Sequence, residues 1–220
     1  MFVKVCGTTS EEDALLAVAV GADAIGFIFA PSPRQVAPQL AADVAKRLPR
    51  EVLTIGVFRD QVPSQVVEIV NGAGLRGAQL HGHESPEDAR YVADRVPFTI
   101  KAFAAGDTAI KQAADYGADA VLLDAPSPGS GQVFDWRLAE GVRDGSRLVL
   151  AGGLDPFNVA AAIARVRPWG VDVASGVELD QCPGRKDPVL LRAFVEAAKA
   201  AEPPAYVGDR EAPYDWQDEP

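Results

Sequence analysis

The sequence predicts an eight-stranded β/α barrel, one domain over residues 1–200, followed by an acidic, proline-rich tail over 201–220. Three observations carry that expectation. The hydrophobic period alternates eight times between short β-type runs and stretches with a 3.6-residue repeat. Prolines recur at the first turn of the helical stretches, at Pro63, Pro86, Pro156 and Pro188, where a missing N–H costs nothing. A Gly-Ala-Asp turn leads from helix to strand at both Gly21-Ala22-Asp23 and Gly117-Ala118-Asp119, the internal repeat of a β/α unit.

In chain order the strands read FVKVC, AIGFIF, LTIGVF, GAQLH, FTIKAF, DAVLL, RLVLA and GVDVA. Valine, isoleucine and phenylalanine dominate them, and polar or glycine-rich turns bound them. Helices are expected to begin near Glu11, Gln39, Pro63, Pro86, Asp107, Asp135, Pro156 and Pro188. Right-handed crossovers leave a closed barrel or an open doubly wound sheet. Eight strands, polar signals after nearly every strand, and no GxGxxG after the first favour closure.

After Ala200 the periodicity stops. The acids Glu202, Asp209, Glu211, Asp215, Asp218 and Glu219 against Arg210 give this segment a net charge of −5. It is expected to be a solvated extension. Docking of Tyr206, Tyr214 or Trp216 on the barrel is the alternative.

Apolar residues at 48% and charged residues at 24% describe a globular chain with ample core. A net charge of −10 argues against a nucleic-acid backbone binder, so a phosphate ligand has to be held locally. Cys6 and Cys182 form no CxxC or metal-type pattern, and the expected setting is a reducing cytoplasm. There is no signal-peptide pattern, and no apolar run approaches the roughly 18 residues of a membrane span. No obligate protein partner is evident.

Barrels of this kind keep their chemistry at the carboxyl ends of the strands. Cys6 ends the first strand and Asp124 the sixth, which places a thiol and a carboxyl across the barrel mouth as a candidate base and acid. Gly152 and Gly153 follow the seventh strand, and Ser175 and Gly176 the eighth. Barrels that bind phosphate do so at that pair of loops, through backbone N–H groups and the positive end of a short helix, so a phosphorylated substrate is expected. Arg34, in the proline-flanked loop PSPRQV, is either a surface residue or a fork for a carboxylate. His81 ends the fourth strand and His83 follows, and one of the two is expected to face the mouth. Lys4 and Lys101 lie within strands, where an unpaired ammonium is costly, so each should reach an acid or the ligand.

The strings VKVCGTT, GADAIGFIF, SPR, GVF, AQLHGHE, LLDAPSPGSGQVFDW, LAGGLDPFNV, VDVASGVE and PGRKD occur in the order and spacing of the phosphoribosylanthranilate isomerases, and the chain resembles that family over about residues 2–199. The resemblance implies an Amadori rearrangement on a β/α barrel, a small phosphorylated substrate, and no cofactor or metal. It implies Cys6 as general base, Asp124 as general acid, and Arg34 at the anthranilate carboxylate. Gly152, Gly153, Ser175 and Gly176 would hold the phosphate, and His81 and Asp172 fall at or beside the active site. The chain departs from the family pattern in a shortened APSPRQV loop, in PSPGSGQVF after Asp124, and in Ala174 where serine is common. The competing readings are another phosphosugar barrel, with Lys101 as the lysine of an indole-glycerol-phosphate synthase, and a catalytically silent binding barrel.

Overall fold

A computed structural model describes residues 1–126 and 147–201. The strands β1 (Phe2–Val5), β2 (Ala24–Ile28), β3 (Leu53–Phe58), β4 (Gly77–Leu80), β5 (Thr99–Ala104), β6 (Ala120–Asp124), β7 (Leu148–Leu150) and β8 (Gly170–Val173) close into a parallel barrel in that order. Closure is made by β1 against β8, with Phe2 opposite Gly170, Lys4 opposite Asp172 and Val5 opposite Val173. The helices are α1 (Glu11–Ala19), α2 (Pro38–Ala45), α3 (Pro63–Gly72), α4 (Pro86–Ala93), α5 (Val159–Val166) and α6 (Pro188–Ala200). The expected helix near Asp135 and the tail after 201 lie outside the described residues.

Alternation along the strands divides the core into two layers. Phe2, Ala24, Ile55, Ile100, Leu122 and Val149 fill the interior of the barrel. Val3, Phe27, Phe58, Leu123 and Val171 point outward against the helices. Each strand is therefore buried on both faces, as a parallel sheet requires.

The Gly-Ala-Asp repeat has a physical role at the amino end of the barrel. Gly21 (φ +100°) and Gly117 (φ +65°) turn the chain in the left-handed region. The carboxylate that follows then accepts a bond from the first turn of the preceding strand: Asp23 from Val3 N and Asp119 from Thr99 N, both at 2.7 Å.

Two expected helices differ. The segment after β5 is a 3₁₀ helix, Thr108–Tyr116, with Gln112 outside helical dihedrals: Tyr116 alone among its residues is buried, and Ala109, Ile110 and Ala113 pack against the core only partly buried, which leaves little burial to hold an α-helical register. The seventh helix begins at Val159, not at Pro156. The Asp155 carboxylate accepts from Phe157 N and Asn158 N, and the Asn158 amide ties Asp155 N to Gly153 O, so residues 155–158 form a clasp on the preceding loop.

Lys101 faces out of the barrel, between Ile100 and Ala102, which face in. Its ammonium donates to Glu84 Oε2 at 2.8 Å and to the carbonyl of Gly82, and lies over the Phe103 and Tyr116 rings. The expected acid partner is present, and this orientation removes Lys101 from the mouth and with it the synthase reading. Glu84 in turn accepts from Asp60 N and Gly82 N, which stiffens the loop after β4. Lys101→Met should strand the buried Glu84 carboxylate and cost about 3–5 kcal/mol, read as a lower urea midpoint. A loss below about 1 kcal/mol would mean that the pair behaves as a solvated one.

Candidate active site

The inner-face positions at the carboxyl ends of β1, β4, β6 and β8 converge. Lys4 and Cys6 come from β1 and the residue after it, Asp172 from β8, Gln79 and His81 from β4 and the residue after it, and Asp124 from the end of β6. Strand β4 ends at Leu80, one residue short of the expectation, yet His81 N still bonds Phe58 O at 2.8 Å and keeps the strand direction.

Cys6 is 6% exposed and its N–H donates to Val173 O, which fixes the thiol against the barrel seam. Below it Lys4 is fully buried, and its ammonium donates to Asp172 Oδ1 at 3.0 Å. Room for both comes from Gly26 on β2. A β-carbon there would sit 2.9 Å from Cys6 Sγ and 3.1 Å from Lys4 Nζ. Burial pushes the Cys6 thiol up, with Asp172 adding to the effect, while Lys4 and Lys186 offset part of it. Burial by itself would lower Lys4, but Asp172 and Cys6 outweigh it and hold the ammonium charged. Burial raises Asp172, and Lys4 offsets part of that rise.

On the other side of the mouth, Asp124 Oδ1 accepts from Ala125 N at 2.7 Å and Oδ2 lies 3.1 Å from His81 Nε2. His81 Nδ1 is 2.6 Å from the Gln79 amide nitrogen. An amide N–H given to Nδ1 leaves the ring proton on Nε2, directed at Asp124. His83 is 86% exposed and pairs with Asp60 outside the mouth, so His81 is the histidine that faces in.

Arg34 is not a free surface side chain, and one edge of its fork is already engaged. Its Nε and Nη2 donate to Glu178 Oε1 and Oε2 at 2.8 and 2.7 Å, and its stem crosses Gly7, whose φ of +69° and lack of a side chain admit it. The Nη1 edge lies outside that pair. The bonds to Glu178 chiefly, against burial, hold the guanidinium above its ordinary range. Burial would raise Glu178, yet Arg34, Lys186 and Gly184 N–H together hold it below the usual carboxylate range. Lys186, fully buried, donates to the Cys6 carbonyl at 2.8 Å, to Ala174 O at 3.2 Å and to Glu178 at 3.1 Å, and burial lowers it despite Glu178.

The two expected phosphate loops meet. Gly152 and Gly153 have φ of +83° and +66°, and Ser175–Val177 form one 3₁₀ turn. Gly176 abuts the Leu154 carbonyl so closely that a β-carbon would collide with it. Gly152 also lies against Ala125 N and Asp124 Oδ1, which joins the phosphate loops to the Asp124 wall.

The structure thus brings together Cys6, Asp124, His81 and Asp172, the two glycine loops, and Arg34 through Glu178. Sequence reasoning missed Gly26, Gln79, Glu178 and Lys186. Strand parity was the available signal for Gly26 and Gln79, since both share the inner face with the chemical residues. Glu178 and Lys186 lie within VDVASGVE and PGRKD. Among the described residues no cluster of three His, Cys, Asp or Glu side chains is placed to hold a metal ion, and no helix is long and apolar enough to cross a membrane.

A family model for N-(5'-phosphoribosyl)anthranilate isomerase matches residues 3–197. The N-(5'-phosphoribosyl)anthranilate isomerase of Desulforudis audaxviator is 47% identical over 206 residues, covering 90% of this chain and 98% of the relative. The crystal structure of phosphoribosyl anthranilate isomerase from Thermus thermophilus superposes with a TM-score of 0.85 at 42% identity, over 92% of this chain and 100% of the other. A phosphoribosyl anthranilate isomerase in complex with reduced 1-(o-carboxyphenylamino)-1-deoxyribulose 5-phosphate superposes with a TM-score of 0.78 at 38% identity, over 90% of this chain and 98% of the other.

Gly26→Ala should push Cys6 Sγ or Lys4 Nζ aside by a few tenths of an ångström. Turnover is expected to fall on the order of 10²-fold with a much smaller change in the urea midpoint. Full turnover in the alanine variant would show that the thiol's position is not critical.

Proposed function

The chain belongs to the N-(5'-phosphoribosyl)anthranilate isomerase family, and on that premise we propose that Cys6 and Asp124 are the base and acid of its reaction. The reaction, in tryptophan biosynthesis, is the Amadori rearrangement of N-(5-phosphoribosyl)anthranilate to 1-(2-carboxyphenylamino)-1-deoxyribulose 5-phosphate. The observation that carries the assignment is that Cys6 and Asp124 stand at the ends of inner-face rows on β1 and β6, with the phosphate loops of β7 and β8 between those strands around the closed barrel.

The acid protonates the furanose ring oxygen, the C1–O bond breaks, and the nitrogen lone pair forms a protonated imine at C1. The base then removes the proton from ribose C2, and the C–H electrons flow into the imine to give an enolamine, which ketonises to the product. Asp124 is the proton donor, and His81 Nε2–H stabilises the carboxylate left after donation. Cys6 takes the C2 proton as a thiolate. The ring opening and the proton removal need groups on opposite sides of one substrate, which the barrel diameter separates.

The substrate phosphate is held by backbone N–H groups at Gly152, Gly153, Ser175 and Gly176, since left-handed glycines open the loop backbone to an anion. The anthranilate carboxylate pairs with Arg34 through Nη1 and the second N–H of Nη2, because Glu178 occupies the other edge. Asp172, at the carboxyl end of β8 on the inner face, is placed to meet the substrate and also anchors Lys4. Free thiols at Cys6 and Cys182 suit a reducing, cytoplasmic setting.

Cys6→Ala should abolish turnover while the affinity for the reduced product analogue stays nearly unchanged, since a base acts in the transition state. Asp124→Asn keeps the shape but has no carboxyl proton to give, and should lose about 10²–10⁴-fold in kcat. Retention of a tenth or more of turnover by either variant, measured by the rate of product formation, would remove that residue from its role. Arg34→Met should weaken the carboxylate-bearing analogue by about 1.5–3 kcal/mol and leave a bare phosphosugar nearly unaffected, as isothermal titration would read. Equal losses for both would place Arg34 in the fold and not at the carboxylate.

A further inference from the structure

We infer that Lys4 is a positioning residue for this reaction: its buried ammonium is the counter-charge that lets Cys6 exist as a thiolate, and Asp172 limits how much of that charge Cys6 receives. The inference rests on the reading of Cys6 as the base. An isolated thiolate in a dry barrel is costly, and burial alone favours the neutral thiol, which removes no proton from carbon. The nearest remedy is a fixed positive charge that cannot move away or be hydrated. Lys4 meets that description, because its side chain is fully buried, it lies on the same face of β1 two residues before Cys6, and its Nζ and the Cys6 sulfur both border the space that a Gly26 β-carbon would fill.

Lys4 serves two acids. One of its three N–H groups goes to Asp172 Oδ1 at 3.0 Å, across the seam of β1 and β8. The others are available to the sulfur beside it. Asp172 therefore anchors the ammonium and at the same time competes for it, and its own negative charge opposes ionisation of Cys6. Thiol and carboxyl titrate as a coupled pair around one cation.

The remaining charged groups facing Cys6 come from two loops. Lys186, after β8, donates to the Cys6 carbonyl, and Arg34, after β2, lies close enough to sense the thiolate. Both are engaged by Glu178. The cations Lys4, Lys186 and Arg34 thus outnumber the carboxylates Asp172 and Glu178 by one around the thiol. That surplus charge matches one thiolate. Lys186 and Arg34 approach from the carbonyl side and the mouth, whereas Lys4 lies beneath the sulfur, so substrate entry leaves the Lys4–Cys6 pairing intact.

The test separates this role from a structural one by sign. In a Cys182→Ser background Cys6 is the remaining thiol, and its ionisation is followed by the ultraviolet absorbance of the thiolate in the absence of substrate. Lys4→Met should raise the midpoint by roughly 1 to 3 pH units, and Asp172→Asn should lower it. The acid limb of kcat should move the same way in each variant, with KM far less affected. Should Lys4→Met fail to fold because Asp172 is left unpaired, Lys4→Met combined with Asp172→Asn removes both charges at the seam. Its midpoint should lie above that of Asp172→Asn alone. Midpoints that shift in the same direction for both single variants, or that ignore Lys4, would overturn the inference. Because the titration needs no turnover, a Cys6→Ala variant that remained active would remove the base assignment separately.

Discussion

The Lys4–Asp172 ion pair crosses the seam at which an eight-stranded sheet becomes a barrel. Lys4 and Asp172 are register partners on the first and last strands, both on the inner face and both buried, Lys4 completely. A charge buried there tolerates no slip of register, since a shift by one residue would send the ammonium to the outer, helix-covered face and leave the carboxylate alone. Correct closure of the barrel and correct placement of Cys6, two residues above Lys4 on the same strand face, are therefore one constraint. Such a pair is a poor stabiliser compared with packed aliphatic side chains, because desolvation offsets most of the attraction. Its retention is understandable if the ammonium has work to do on the thiol.

The same economy recurs on the outside of the barrel and at its mouth. Lys101 and Glu84 are buried between barrel and helices, away from any chemistry, and they stiffen the loop that carries His81. Glu178 holds one edge of the Arg34 guanidinium with both of its oxygens and shares Oε1 with Lys186, so one carboxylate orients both Arg34 and the cation at the Cys6 carbonyl. Lysines inside strands thus read alike in sequence and act differently according to which face they occupy.

That difference marks the limit of what the sequence makes legible. The eight strands could be read because each is buried on both faces and bounded by turn residues, and the Gly-Ala-Asp turns repeat because their aspartates cap neighbouring strands. Cys6, Asp124 and the glycine loops were legible because barrel topology dictates that strand ends face the mouth. The start of α5 was not, since Pro156 is a good first-turn residue and only the side chains of Asp155 and Asn158 divert it into a clasp. The 3₁₀ segment after β5 was read as an α-helix because composition does not reveal that Tyr116 alone is buried. Glu178 escaped because its partners Arg34 and Lys186 lie in two different loops, and distance along the chain hides an ion pair. Gly26 escaped because a glycine whose function is to leave space has no chemistry of its own to notice.

A crystal structure of this chain with reduced 1-(o-carboxyphenylamino)-1-deoxyribulose 5-phosphate bound would test the division of labour most directly. The expected result has Cys6 Sγ about 3 to 3.5 Å from ribose C2, with an Asp124 carboxyl oxygen in hydrogen-bond reach of the hydroxyl that derives from the furanose ring oxygen. The phosphate would then lie against Gly152, Gly153 and Gly176. A ligand whose C2 faces another ionisable group, with Cys6 on the remote side of the sugar or Asp124 turned toward the phosphate, would contradict the assignment.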